Sequence, residues 1–355
     1  MTLNLRLDKL RRMIHQKNID GVIAYKPENR RYLSGFTGTA GYVVVTIDKA
    51  FFITDFRYVE QARRECVEYE IIEHNDRRSV YSILNDLNLK TLGFEDDFVT
   101  YSQYKEFLEN LTKTQFIPLD GTMNHLRKIK DADEIDNIEK AAIITDEAFG
   151  YICEYIKPGV SEKEIALELE MYMKRKGASA LSFEIIVASG IRSSLPHGRA
   201  SNKLIEKGDF ITMDFGCIFN GYCSDMTRTI VVGKANEKQK EIYGIVLEAQ
   251  IQALDAIRPG AAGIDVDKIA RKVISTKGYG KNFGHGLGHG VGLEIHEAPR
   301  LSPTSKDILE AGMVVTDEPG IYIPDFGGVR IEDLVVVTQT GNRVLSKSPK
   351  ELIEL

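Results

Sequence analysis

The stretch FITMDFGCIFNGYCSDMTRTIVV, residues 210–232, reads as a β-hairpin whose Asn220-Gly221 pair suits a tight type I′ turn, because both residues tolerate positive φ. Reflection through that turn sets Asp214 opposite Thr227. It leaves Asp225 diagonal to Asp214 on the same face, roughly 7 Å away. The same register sends Cys217 and Cys223 to opposite faces, so they do not make a cysteine metal site. Two aspartates in a hairpin suit a solvated face as well as a site; their partners decide.

A second hairpin is read in VVTDEPGIYIPDFGGVRIEDLVVV (314–337), with its turn at Pro324 to Gly328. Reflection about Asp325 sets Glu318 against Glu332, and strand alternation turns Asp317 and Asp333 to the other face. Arg330 shares the face of Glu332 and is placed to hold a ligand carboxylate by a charge-assisted hydrogen bond. Between the hairpins lies GHGLGHGVGLEIHE (284–297), with three of the chain's seven histidines and five glycines. Glycine weakens strands and marks close backbone approach, so His285, His289 and His296 together read as a site. His197 stands in the loop IRSSLPHG after the strand-like SFEIIVASG. His15, His74 and His125 lack such company and read as structural.

Asp214, Asp225, His289, Glu318 and Glu332 thus have the types and order that a pair of divalent cations requires. Without metal, four carboxylates in one buried pocket would repel one another and take up protons; two divalent cations balance their charge. The set is hard and oxygen-rich, unlike the cysteine and histidine set of structural zinc. Manganese or cobalt suits it, with zinc as a third candidate. Paired cations make hydroxide available near neutral pH, polarise a carbonyl and steady an oxyanion, which together describe hydrolysis.

Outward from these motifs, the 355 residues exceed the usual span of one domain. The first part alternates helix and strand patterns: Leu3, Leu7, Leu10 and Ile14 at helical spacing, then GVIAY at 21, YVVVT at 42 and FFIT at 51. Then LRKIKDADEIDNIEKAAIITDEAF opens a long helix in which Asp131 and Glu134 have capping-box spacing. Beyond it, Pro158 to Gly177 and Pro259 to Gly278 repeat one spacing around helical stretches, which reads either as an internal duplication or as coincident helix stop signals. Hydrophobic content of 43% and a net charge of -6 fit a soluble globular protein and argue against a nucleic-acid partner. The charged N-terminus carries no apolar block for a signal or membrane span, and four widely spaced cysteines read as reduced thiols. A cytoplasmic location is expected.

These motifs resemble those of the metal-dependent Xaa-Pro peptidases, proline dipeptidase (prolidase) and aminopeptidase P, whose catalytic domain has the pita-bread fold shared with methionine aminopeptidases. The resemblance rests on MDFG with Asp214, SDMTRT with Asp225, GHGLGHGVGLEIHE with His289, DEPG with Glu318 and VRIED with Glu332, and it covers nearly the whole chain. It implies an α/β (α+β) architecture: a small creatinase-like α/β domain at 1–124 and a pita-bread catalytic domain with pseudo-two-fold symmetry at 125–355. It further implies that Asp214 chelates one metal, that His289 and Glu318 bind the other, and that Asp225 and Glu332 bridge both. Glu318 would shuttle a proton from the bridging water to the departing proline nitrogen. His197, His285 and His296 would line the substrate site and stabilise the tetrahedral intermediate.

The bond cut in such enzymes precedes proline, whose tertiary amide has no N–H. Arg300, four residues after His296, is either the basic contact for a dipeptide's carboxylate or a surface arginine. An arginine there resembles the dipeptidases. The stretch RYLSGFTGTAG, however, lacks the histidine that some dipeptidases carry in their N-terminal domain, and Asp317 stands where an apolar residue is more usual. The implied activity is a cytoplasmic exopeptidase, homodimeric as relatives commonly are, acting on short proline-containing peptides as an Xaa-Pro dipeptidase. Aminopeptidase P, acting on longer peptides, is the alternative. Methionine aminopeptidase normally lacks the N-terminal domain, and creatinase lacks the full ligand set. A catalytically inactive pita-bread binding protein would have lost ligands, whereas all five stand here.

Overall fold

The computed structural model describes residues 3–355 and divides the chain between Arg127 and Lys128 into two compact units. The division expected at 124/125 would cut the short helix Thr122–Arg127, which packs on helices Leu3–Lys17 and Pro27–Ser34 of the first unit.

The first unit is built on a six-stranded sheet of β1 (Gly21–Ala24), β2 (Tyr42–Thr46), β3 (Ala50–Thr54), β4 (Glu70–Glu73), β5 (Thr91–Phe94) and β6 (Gln115–Pro118), in the order β4-β3-β2-β1-β5-β6. β2 runs antiparallel to both neighbours and the remaining pairs are parallel. The apolar runs at 21, 42 and 51 form β1 to β3. Their near-continuous burial follows from their place inside a sheet covered on both faces. Ile23, Val44, Ile53, Leu92, Phe107 and Phe116 share one core.

The second unit opens with the helix Ala132–Tyr155. Its first turn is closed as the spacing predicts: Asp131 accepts from the Glu134 amide at 3.0 Å and Glu134 accepts from the Asp131 amide at 3.1 Å. That helix and Glu162–Arg175 recur as Glu237–Ala256 and Gly263–Thr276. Tyr155 answers to Ala256 and Arg175 to Thr276, a constant offset of 101 positions. Gly159 and Gly177 recur at the same offset as Gly260 and Gly278, all four at positive φ. Each helix pair has its own core. The first packs on Val187, Ile211 and Met213, the second on Val315, Ile321 and Val335.

The strands of this unit are β7 (Ala180–Leu181), β8 (Ile186–Ser189), β9 (Phe210–Phe215), β10 (Cys217–Phe219), β11 (Tyr222–Cys223), β12 (Met226–Val231), β13 (Gly288–Gly290), β14 (Glu297–Leu301), β15 (Val314–Asp317), β16 (Gly320–Ile323), β17 (Gly327–Arg330), β18 (Asp333–Val337) and β19 (Asn342–Val344). They form sheets β12-β9-β8, β11-β10-β7, β14-β13-β15-β18-β19 and β16-β17. The first hairpin has the expected register, with Thr227 paired to Asp214 and Asn220 and Gly221 both at positive φ. It divides at Gly216, where the facing chain comes so close that a Cβ would lie 2.0 Å from the Ser224 oxygen. The second keeps one register through β16/β17 and β15/β18, Gly320 to Arg330 and Asp317 to Asp333, which brings Glu318 and Glu332 abreast. Its turn is shorter than expected: Gly327 and Gly328 already pair in β17, and Asp325 takes the positive φ.

Candidate metal centre and active-site cleft

Every site residue expected from the sequence lines one cleft of about 500 Å³: Asp214, Asp225, His289, Glu318, Glu332, His197, His285, His296, Arg300 and Arg330. β9 supplies Asp214, the chain just before β12 supplies Asp225, β13 supplies His289, and the breaks between β15 and β16 and between β17 and β18 supply Glu318 and Glu332. Within GHGLGHGVGLEIHE only Gly288–Gly290 is strand before β14 begins at Glu297. The glycines on either side of His289 have a steric cause. A Cβ on Gly288 would lie 2.1 Å from the Thr316 oxygen, and one on Gly290 would lie 2.3 Å from the Ala298 oxygen. Only a strand without side chains at these points brings His289 between β14 and β15.

Asp225, His289 and Glu332 each offer a ligand atom within 4.8 Å of the others. His289 Nδ1 meets the Gly290 oxygen at 3.1 Å, so its N–H is used there and the Nε2 lone pair faces the carboxylates. Nε2 lies 3.5 Å from Asp225 Oδ2 and 3.4 Å from Glu318 Oε1. Burial, then His296, pushes His289 down to about 3, so the ring is neutral and these are not ion pairs. They match the spacing of ligands around one cation, roughly 3 to 3.4 Å for metal–ligand bonds near 2.1 Å.

The carboxylates carry the complementary signal. Burial, reinforced by Asp214 and Glu318, raises Asp225 well above the usual range, and burial with Asp225, Glu318 and Asp214 does the same for Glu332. Burial pushes Glu318 up to about 7 against the pull of Arg330. Asp214 Oδ2 accepts from Arg330 Nη2 at 2.7 Å, while its Oδ1 is buried with no hydrogen-bond partner among the described residues. An orphaned carboxylate oxygen, a neutral imidazole and mutually repelling acids fit divalent cations, which would satisfy all three.

The remaining cleft residues sort by what their polar atoms touch. His285 Nδ1 meets the Gly286 oxygen at 2.8 Å, so Nε2 accepts from the Tyr322 hydroxyl at 2.9 Å; both ring nitrogens are taken. Tyr322 in turn accepts from Arg330 Nη1 at 2.8 Å, and Arg330 Nε donates to Thr227 Oγ1, which donates to Glu332 Oε2 at 2.6 Å. Thr316 Oγ1 accepts from the His289 amide and donates to Glu318 Oε1, each at 3.0 Å. His197, His296 and Arg300 differ: all three are exposed, and their side chains have no hydrogen-bond partner among the described residues. The His296 ring meets His289 edge-on at 4.3 Å.

Tyr322, Thr227 and Thr316 carry this network and were not read as site residues from the sequence. The signal for Tyr322 was present, since alternation from Glu318 through Gly320 keeps it on the ligand face. Phe183, Ile186, Pro196 and Ile295 give the cleft its apolar wall, and Glu184, Arg199, Gly286, Gly288 and Ser302 complete its lining.

A buried cluster of carboxylates and neutral imidazole, braced by an arginine and opening to a cleft of peptide size, defines a metal-dependent hydrolytic enzyme. Residues 136–339 match the model of metallopeptidase family M24, and residues 6–129 match that of the creatinase/prolidase N-terminal domain. The chain belongs to metallopeptidase family M24, and its fold is the two-domain architecture that the resemblance implies. It is 45% identical to an Xaa-Pro dipeptidase of Pyrococcus furiosus over 98% of this chain and 99% of that one. Among solved structures, an Xaa-Pro dipeptidase from Bacillus anthracis is similar at TM-score 0.97 and 51% identity, covering 100% of both chains. An X-Pro aminopeptidase from Thermotoga maritima is similar at TM-score 0.92 and 38% identity, covering 98% of this chain and 100% of that one. Among the described residues, no helix is long and apolar enough to cross a membrane.

Proposed function

We propose that this protein is a dinuclear-metal Xaa-Pro dipeptidase, hydrolysing the bond before proline in short peptides. The observation that carries the dipeptide choice is Arg300, an exposed guanidinium in the cleft with no partner among the described residues. A dipeptide carries its carboxylate one residue beyond the bond to be cut, within reach of such a cation. The relatives named Xaa-Pro dipeptidase in Pyrococcus furiosus and Bacillus anthracis support the reading. The Thermotoga maritima X-Pro aminopeptidase favours aminopeptidase P as the second reading.

In this reading Asp225 and Glu332 would be shared between two ions, His289 and Glu318 would hold one, and Asp214 the other. Manganese or cobalt suits the oxygen-rich set, and zinc is the third candidate. When bound, the ions would supply a nucleophilic water near neutral pH and polarise the scissile carbonyl. The chain's own groups do the rest. Glu318 would take a proton and return it to the proline nitrogen. His197 and His296 have ring nitrogens free to donate to the carbonyl oxygen as charge grows on it. His285 has none free; it orients Tyr322, and through Tyr322 it orients Arg330, which fixes Asp214. Thr227 fixes Glu332.

Four unpaired cysteines agree with a reducing, cytoplasmic setting, and a homodimer is the state expected of the family. The test compares an Xaa-Pro dipeptide with an Xaa-Pro-Yaa tripeptide, before and after chelation. The dipeptide should be cleaved and the tripeptide resist, with chelation abolishing turnover and manganese or cobalt restoring it. Preference for the tripeptide would establish aminopeptidase P, and full activity in metal-free protein would sink the metal reading.

A further inference from the structure

The ligand residues sit in or beside strands, but the loops that bring His197 and His285 to the cleft need another anchor. Both have one of the same kind. Glu162, the first residue of helix Glu162–Arg175, has a fully buried carboxylate. Its Oε1 accepts from the Ser189 amide at 2.7 Å and the Ser189 hydroxyl at 2.8 Å. Its Oε2 accepts from the Ser201 amide at 2.9 Å, the Ser201 hydroxyl at 2.7 Å and Arg192 Nη1. One carboxylate therefore closes both ends of the 189–201 segment. Arg192, held by Glu162, also donates to the Arg199 oxygen at 2.9 Å, drawing the loop tight on both sides of His197. From the cleft side Arg330 Nη1 donates to the Pro196 oxygen at 3.1 Å.

The second half repeats the device with different positions. Asp267, on helix Gly263–Thr276, accepts from Arg271 at 2.9 and 2.8 Å and from the Leu287 amide at 3.0 Å. Arg271 donates to the oxygens of Phe283 and His285, at 2.9 and 2.8 Å.

We infer that Glu162 with Arg192, and Asp267 with Arg271, are paired clamps in the two halves that position His197 and His285 in the cleft, so that the four are positioning residues for catalysis. Burying a carboxylate is costly unless it is fully satisfied, and a helix's first turn needs only an exposed acid to complement its dipole. Full burial of Glu162 is explained by the loop it gathers. The inference rests on the proposed role of His197 at the substrate carbonyl.

A double-mutant cycle tests it: Glu162→Gln, His197→Ala and both together, as manganese-loaded protein with an Ala-Pro dipeptide, with metal content and amide hydrogen exchange measured alongside. Glu162→Gln keeps the shape but replaces an acceptor oxygen by a donor. It should lower kcat by up to about a hundredfold, the scale of a 1 Å misplacement, leave metal content unchanged and speed exchange within 189–201. In the His197→Ala background the loss should vanish. Arg192→Lys should follow the same pattern, and it carries the cycle alone if Glu162→Gln does not fold. Undiminished loss in the His197→Ala background, or unchanged exchange in the loop, overturns the clamp while leaving the role of His197 intact. A silent His197→Ala variant removes that role, and the clamp with it.

Discussion

His289 and Arg300 are paired residues on β13 and β14, side by side across the strands. Residues so paired hold their Cβ atoms roughly 5 Å apart on one face, so the Arg300 stem starts next to the imidazole that faces Asp225 and Glu318. The pairing places a permanent cation next to the donor set without making it a ligand. An anion in the cleft then has a partner that does not compete with the metal sites.

Arg300→Ala should therefore raise KM for Xaa-Pro dipeptides while leaving metal content unchanged. A charge-assisted hydrogen bond contributes about 1.5–3 kcal/mol, which corresponds to a KM increase of roughly ten- to a hundredfold. A dipeptide with its C-terminus amidated should bind equally poorly to parent and variant. Equal KM values for the free dipeptide in the two proteins would remove the carboxylate contact.

Metal uptake should release protons. Asp225 and Glu332 lie well above the usual carboxylate range and Glu318 near 7, in each case chiefly through burial. A carboxyl whose folded value is raised binds more protons folded than unfolded, from about pH 4 up to the raised value, so stability falls as pH climbs through that window. Metal-free protein should melt at progressively lower temperature between about pH 5 and 8, and loaded protein should resist that decline. His289, already neutral, contributes no proton. Calorimetric titration with manganese in two buffers of different ionisation enthalpy counts the protons; zero release near pH 6.5 would contradict the raised carboxyls.

Much of this site was legible because both hairpins obey a period of two about a recognisable turn. Asn220-Gly221 and the reflection about Asp325 give the pairings Asp214 with Thr227 and Glu318 with Glu332, whereas the repeated Pro-to-Gly spacing leaves duplication and coincident stop signals both open, and the helix offset decides for duplication. Partners from distant segments were not legible. That His285 has no free nitrogen depends on Tyr322, which comes from the distant β16, and the glycines around His289 do not say that only Gly288–Gly290 is strand. Glu162 reads as an ordinary first-turn acid until the 189–201 loop is folded onto it.

Tyr322→Phe tests the network behind Asp214. The change leaves a partner missing at both His285 Nε2 and Arg330 Nη1, and an unsatisfied buried polar group costs about 1–3 kcal/mol. Melting should fall by about 2–4 °C per kcal/mol, and kcat should drop as Arg330 loses one of its holds, while metal content stays unchanged. Loss of metal together with activity would place Tyr322 in metal retention; unchanged melting and turnover would mean the network is slack.

Asp317 and Asp333 pair on the face behind Glu318 and Glu332, both nearly fully buried, and only one of them is neutralised. Asp333 accepts from Arg228 at 2.8 Å and from Lys350 at 2.7 Å, while Asp317 has Gln250 on one oxygen and no hydrogen-bond partner on the other among the described residues. Burial first, then Asp333, raises Asp317 well above the usual carboxylate range. Like charges paired across strands are destabilising, and a protonated Asp317 relieves the conflict. The sign follows as for the ligands: the stability Asp317 allows is present below its unfolded value near 4 and lost as pH rises through its raised folded value. Asp317→Asn removes that titration and keeps the shape. Compared as loaded proteins, the difference between variant and parent should be smallest near pH 5. The variant should then gain with rising pH, by at most ~1.4 kcal/mol per pH unit, until Asp317 of the parent ionises. A gain that does not change between about pH 5 and 8 would show that Asp317 is ionised throughout, with its charge balanced by Lys350 and Arg228 across the pair.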